Sequence, residues 1–219
     1  MKTTIGVFFG GRSVEHEISI LTALQAMYAI DASRYNVIPI YISKEGRWYS
    51  GEPLMSVSNY KDMTALKSRC EEVYMNPEYG DYNLYRRKKP LFGSHIVATL
   101  DVAIPALHGT NGEDGVFQGL LETIGIPFAG CDTLSAAIGM DKIVMKMVLE
   151  HSDIPVVDYV WFTDKQWATT RDKWVEKIEN KIGYPVIVKP ANLGSSVGIA
   201  RADNRQELIT KVEEASRNS

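Results

Sequence analysis

Cysteine is scarce in this chain: Cys70 and Cys131 are the only two among 219 residues, far apart and without CxxC spacing. Neither a zinc site nor a disulfide framework follows from them, and a reduced, cytoplasmic setting is expected. Long apolar runs are missing as well. The N-terminal MKTTIGVFFGG holds one short apolar run ending in glycine, too short for a signal-peptide core or a membrane span. Charge of either sign is not in strong excess. The formal net charge of −3 leaves no broad basic face, so no nucleic-acid partner is expected, and with no apolar run long enough to span a bilayer no membrane partner is expected either. The run Arg86-Arg87-Lys88-Lys89 is the one dense basic patch and reads as a solvated edge beside a turn. No internal repeat or low-complexity segment is present.

What the chain does have is ordinary globular composition, 45% hydrophobic and 23% charged, and a clear α/β pattern. TIGVFF (4–9) reads as a buried strand ending at Gly10-Gly11. A helix follows from Val14 to Ile30, with Ile20, Ala23, Leu24 and Met27 on its core face. NVIPIYIS (36–43) is the next strand. Strand, glycine turn, helix, strand is the βαβ signature of a parallel, doubly wound sheet. Residues 51–98 are polar, tyrosine-rich and weakly periodic, and short strands or an insertion fit them. TLDVAIPAL (99–107) is a strand, 112–125 carries a helix that Gly125 ends, and IPFAG (126–130) is a short strand. One helix, capped by Asp132 or Thr133, is expected to run to Glu150. The pattern then changes to strands at 156–163, 185–190 and 197–202, with helices at 165–181 and 204–216, the last capped by Asp203. This is a separate α+β unit, and the domains are placed at 1–130 and 131–219.

Three loops hold the chemistry. In FFGGRSVEHEIS (8–19), a helix N-terminus stands at the carboxyl edge of the sheet, where open α/β sheets bind ligands. The glycines fit neither GxGxxG nor GxxxxGK[ST], so a dinucleotide or Walker-type site is not supported there. Two readings of the acids stand. Ser13 caps the helix while Glu15 and Glu17 complement its dipole, or Glu15, pointing away from the apolar stripe, holds a substrate ammonium. His16 shares the register of Ile20 and Ala23 and is expected to pack. In LHGTNGEDG (107–115), His108 follows a strand directly and belongs at the same sheet edge, while Glu113 and Asp114 serve the helix start. In IVKPANLGSSVGIA (187–200), Lys189 ends an apolar strand before a Gly-Ser-Ser loop. Backbone amides and hydroxyls of such a loop can cradle phosphate, and an ordinary hairpin with an exposed lysine is the alternative.

Together, GGRSVEHEIS, LHGTNGEDG, GCDTLSAAIGMDK and VIVKPANLGSSVGI resemble, in order and spacing, the D-alanine–D-alanine ligases of the ATP-grasp superfamily. The resemblance covers nearly the whole chain apart from 51–98. It implies an N-terminal Rossmann-like parallel sheet followed by the first α+β lobe of an ATP-grasp domain. It implies ATP-dependent carboxylate–amine ligation through an acylphosphate, for peptidoglycan precursors. By resemblance, Glu15 binds the ammonium of the first D-alanine, and His108 and Ile18 line that site. Lys142 and Lys189 contact ATP phosphates, Ser195 links the phosphate loop to Glu15 and a distal tyrosine, and Ser196 and Val197 lie in that loop.

The resemblance further implies a homodimer through the N-terminal domain. It places the Mg2+ ligands, with the adenine site, beyond Ser219, so no metal ligand is expected within these residues and the chain alone is expected to be inactive. D-alanine–D-serine and D-alanine–D-lactate ligases share the motifs, and the second substrate is not readable. Another ATP-grasp carboxylate–amine ligase, or a non-catalytic ligand-binding module, are the competing readings.

Overall fold

The computed structural model describes residues 2–194 and 198–217. The chain divides into two compact units, Met1–Ala137 and Ile138–Ser219.

The first unit is built on a seven-stranded sheet. Its strands are β1 (Thr3–Gly10), β2 (Tyr35–Ile42), β3 (Trp48–Ser50), β4 (Glu71–Met75), β5 (Asn83–Arg86), β6 (Ile96–Thr99) and β7 (Val102–Pro105). They lie in the order β6-β5-β4-β3-β2-β1-β7. Only β2, β1 and β7 are parallel; β3 to β6 extend the sheet as antiparallel neighbours. The obscure stretch 51–98 is therefore most of this extension, with two 3₁₀ turns and the short helix α2 (Met63–Ser68) between β3 and β4. The expected strand 99–107 is split. Asp101 interrupts it by accepting a hydrogen bond from Thr4 N at 2.7 Å, so β6 and β7 are separate strands. The expected strand 126–130 is reduced to one bridge, Ala103 to Phe128.

Period-two alternation gives the sheet two buried faces. Phe8, Ile40 and Ile42 face α3 (Val116–Ile124), with Phe117, Leu121 and Ile124. Ile5, Val7, Phe9 and Tyr41 face α1 (His16–Ala29), with Ile20, Ala23, Leu24 and Met27. Each fully buried side chain of this size contributes about 1.5–3 kcal/mol.

The helix expected from 133 to 150 is two. They are α4 (Thr133–Met140), begun by Asp132, whose carboxylate accepts from Ser135 N at 2.7 Å, and α5 (Lys142–His151). Asp141 breaks them apart because its side chain caps α5, accepting from Ile143 N at 2.8 Å and Val144 N at 3.0 Å.

In the second unit, α6 (Asp164–Lys181), β8 (Val186–Val188), β9 (Ala200–Ala202) and α7 (Arg205–Ser216) enclose Trp167, Val175, Ile178, Leu208 and Val212. α6 is bent at Thr170, where the hydroxyls of Thr169 and Thr170 turn back onto main-chain carbonyls. The expected strand 156–163 is irregular: Val160 and Phe162 pack on this core, but no ladder partner reaches their backbone. Asn204, not Asp203, caps α7, accepting from Glu207 N at 3.0 Å.

Candidate functional site

β1 lies between β2 and β7, all parallel, so the connections after β1 and β7 leave the sheet side by side in opposite directions. Such a switch point opens a crevice at the carboxyl ends of the strands. Gly10 makes the turn out of β1 with φ +89°, where a Cβ would strike the Ile42 carbonyl. Ser19 ties the two loops together. Its hydroxyl accepts from Gly10 N at 2.8 Å and donates to the Ala106 carbonyl at 2.6 Å.

Glu15 stands at the N-cap position of α1, yet its side chain makes no capping bond. Ser13 Oγ instead accepts from Glu15 N at 3.0 Å, so Ser13 shapes the turn before the helix and does not cap it. The Glu15 carboxylate is 6% exposed and packs over Gly109. Burial of this kind is uncommon for a helix-dipole acid, which gains its effect at the surface. Glu17 fills the dipole role: it is exposed, pairs with Lys44 at 2.5 Å, and that hydrogen bond holds its carboxyl below the usual range. His16 is the packing residue that the register predicts. Its Nδ1 meets the Gly11 carbonyl at 2.7 Å and its Nε2 meets the Tyr41 hydroxyl at 3.0 Å.

His108 sits at the same edge, held from both sides. Nε2 lies 3.0 Å from Thr22 Oγ1, and Nδ1 lies 3.6 Å from Glu113 Oε1. The other Glu113 oxygen accepts from Gly109 N at 2.7 Å. Asp114 serves the turn before α3, accepting from Asn111 N and Val116 N, but Glu113 does not; it belongs to the histidine. Ile18 is half exposed in the first turn of α1. Glu15, Ile18 and Thr22 follow at i, i+3 and i+7, so they form one stripe along the crevice. Thr22 and Glu113 were missed in the sequence. The helical spacing from Glu15 could have found Thr22; nothing local marks Glu113 as the partner of His108.

The second unit holds the lysines. Lys142 is the first residue of α5, and its ammonium donates to the carbonyls of Leu193 at 2.6 Å and Ala191 at 3.2 Å. It thus grips the segment leading into the glycine-serine loop. Lys189 is exposed just after β8. Lys146, one helical turn beyond Lys142, lies over the Tyr159 ring at 4.5 Å. Burial first and the charge of Lys189 second push its pKa down. Lys181 lies 5.6 Å from the centroid of the same ring. Lys146 was also missed, although the Lys142–Lys146 spacing of four puts both on one helix face. Ser195, Ser196 and Val197 lie outside the described residues. Among the described residues, no three His, Cys, Asp or Glu side chains gather as metal ligands. No described helix is long and apolar enough to cross a membrane.

The family profile described as "D-ala D-ala ligase N-terminus" matches residues 4–131, and that described as "D-ala D-ala ligase C-terminus" matches residues 148–219. A D-alanine–D-alanine ligase of Thermosipho melanesiensis is 41% identical over 98% of this chain and 55% of its own length. One from Heliobacterium modesticaldum is 38% identical over 99% of this chain and 57% of its own. The chain therefore spans little more than half the length of these relatives. Among solved structures, the D-alanine–D-alanine ligase of Coxiella burnetii superposes with a TM-score of 0.83 at 30% identity, covering 99% of this chain and 61% of that one. The VanG D-Ala:D-Ser ligase of Enterococcus faecalis gives 0.80 at 31% identity, over 99% and 60%. With both profiles matched in order and the fold shared along its length, the chain belongs to the D-alanine–D-alanine ligase family.

Proposed function

We propose that this chain supplies the N-terminal domain and the first ATP-grasp lobe of an ATP-dependent ligase that joins D-alanine to a second D-alanine. In that reaction the carboxylate of one D-alanine is phosphorylated by ATP, releasing ADP. The amine of the second then displaces phosphate to form the dipeptide. The observation that carries the reading is a buried carboxylate, Glu15, at the switch-point crevice, next to a loop whose histidine is braced by Thr22 and Glu113.

In this reading Glu15 holds the ammonium of the first D-alanine, and His108 and Ile18 bound the space around it. Lys142 and Lys189, with Ser195, Ser196 and Val197, take the ATP phosphates. Phosphoryl transfer depends on such positioned positive charge more than on covalent chemistry by the protein. The chemistry of Lys142 fits: it is a lysine on the first turn of a helix, already turned towards a glycine-serine loop. Mg2+ ligands are assigned outside these residues, and the 219 residues alone are expected not to turn over. The setting is cytoplasmic.

A homodimer through the first unit is supported by α1, which presents Ile18, Leu21 and Tyr28 on one exposed stripe. A D-alanine–D-serine or D-alanine–D-lactate ligase is the second reading, supported by the equal likeness to the D-Ala:D-Ser enzyme.

The test is steady-state ADP release by a chain of the relatives' full length. Glu15→Gln is expected to lower kcat/KM for D-alanine by about a hundredfold or more, as for a buried charge pair that has lost one partner. The KM for ATP is expected to stay within about twofold. Equal loss for both substrates would remove Glu15 from the amino-acid site.

A further inference from the structure

We propose that the loop joining β5 to β6 is a docking device for an anionic phospholipid surface. Its base is fixed. Arg86 N donates to the His95 carbonyl at 2.9 Å, His95 Nε2 donates back to the Arg86 carbonyl at 2.7 Å, and the Arg86 guanidinium reaches the Ser94 carbonyl at 2.6 Å. Arg87 is tied to the neighbouring strand through its own N–H to the Glu72 carbonyl at 2.7 Å, with its guanidinium over Tyr74.

Beyond this clamp stand Lys88, Lys89, Pro90, Leu91, Phe92 and Gly93. Leu91 and Phe92 are 90% and 87% exposed, the highest of the large apolar side chains among the described residues. Two adjacent apolar side chains held fully in water at the tip of a braced hairpin gain nothing in the folded chain itself.

Charge says what covers them. From Tyr82 to Leu100 the sequence has no Asp or Glu, while it carries Arg86, Arg87, Lys88 and Lys89. The chain as a whole is net acidic at −3, so this one protrusion opposes the sign of the molecule. Arg86 is partly engaged by Glu71 at 3.6 Å; Lys88 and Lys89 are exposed in the same loop, two to four residues before Leu91 and Phe92. A cleft of about 530 Å³ opens beside the base and is lined by Arg47, Arg87, Trp48, Tyr74 and Glu72, whose carboxylate lies 3.9 Å from the Arg47 guanidinium.

An apolar tip over a cationic collar matches a bilayer interface, with acyl chains for Leu91 and Phe92 and lipid phosphates for Lys88, Lys89 and Arg87. The apolar tip is only two residues, too small to be the centre of a stable protein interface, whereas a fluid surface closes around it without a shaped partner. The composition that excludes a spanning segment does not bear on docking of this kind. The inference is independent of the ligase reading, because its readout is lipid binding and not catalysis.

The test is flotation of the chain with vesicles of equal parts phosphatidylglycerol and phosphatidylcholine, against phosphatidylcholine alone. Binding is expected to the anionic vesicles only and to fall with added salt. Neutralising Lys88→Gln and Lys89→Gln should weaken it about fivefold for each lysine. Leu91→Ser with Phe92→Ser should weaken it about tenfold with the circular dichroism unchanged. Phe92→Trp should show a blue-shifted emission component when anionic vesicles are added. Equal binding to phosphatidylcholine, no binding, or binding indifferent to these variants would overturn the proposal. So would self-association without lipid that the Leu91/Phe92 variant abolishes, since the tip would then face a second copy of the chain.

Discussion

Gly109 holds φ +68°, a left-handed conformation next to His108, and an added Cβ would run into the Glu15 carboxylate and Ser13 Oγ. Two separate effects therefore oppose any side chain at this position. The backbone would be strained, and the buried carboxylate would have to move. Gly109→Ala is expected to lower stability by about 1–3 kcal/mol in urea denaturation and, on the proposed function, to raise the KM for D-alanine in a chain of the relatives' full length. A variant as stable as the parent, with an unchanged KM, would mean that the loop relaxes and that Glu15 has room.

At this scale the sequence brought forward two of the four candidate residues. Glu15 and His108 were legible because each directly follows a strand–glycine or strand–loop signal. Thr22 and Glu113 were not. The Thr22–His108 contact joins residues 86 apart in sequence, and only the parallel pairing of β1 with β7 brings them within 3.0 Å. Glu113 looked like a helix-start acid because acids before a helix usually are; its neighbour Asp114 does that work.

Asp141 shows what a single polar residue does to an element. The apolar content from 133 to 150 reads as one helix, since it has no proline and its single glycine, Gly139, is tolerated within a helical pattern. The structure stops at Met140 and starts again at Lys142, because the Asp141 carboxylate satisfies the first free amides of α5. That cap fixes the turn on which Lys142 reaches the Leu193 carbonyl. Asp141→Ala is expected to destabilise the second unit by about 1 kcal/mol. It should also weaken nucleotide binding measured by calorimetry in the full-length protein. Asp141→Asn, whose amide oxygen caps comparably, should keep both. Loss of binding in the Asn variant as well would assign the carboxylate a charge role in place of a cap. The antiparallel extension β3–β6 was illegible for a related reason. Its strands are three to five residues long, half-buried, and interrupted by 3₁₀ turns, so no window holds enough alternation to register.

On the scale of the molecule, the βαβ start was legible because buried parallel strands are continuous apolar runs. The change of pattern led to a boundary at 130/131, whereas the two compact units part between Ala137 and Ile138. The two units rest on unequal cores. The first has a seven-stranded sheet filled on both faces. The second has a two-stranded sheet and one small cluster around Trp167, Val175, Ile178, Leu208 and Val212. A two-stranded sheet is marginal unless helices cover it, and small cores leave little net stability after chain entropy. The second unit should therefore unfold first.

The tryptophans make this measurable, since Trp161, Trp167 and Trp174 lie in the second unit and only Trp48 in the first. In urea, tryptophan fluorescence of the 219-residue chain is expected to change at lower denaturant than far-UV circular dichroism, which the larger unit dominates. Trp48→Phe should keep the early fluorescence transition and remove the late one. Coincident transitions by both probes would mean that the chain melts as one cooperative body, and that the small core draws its stability from beyond its own residues.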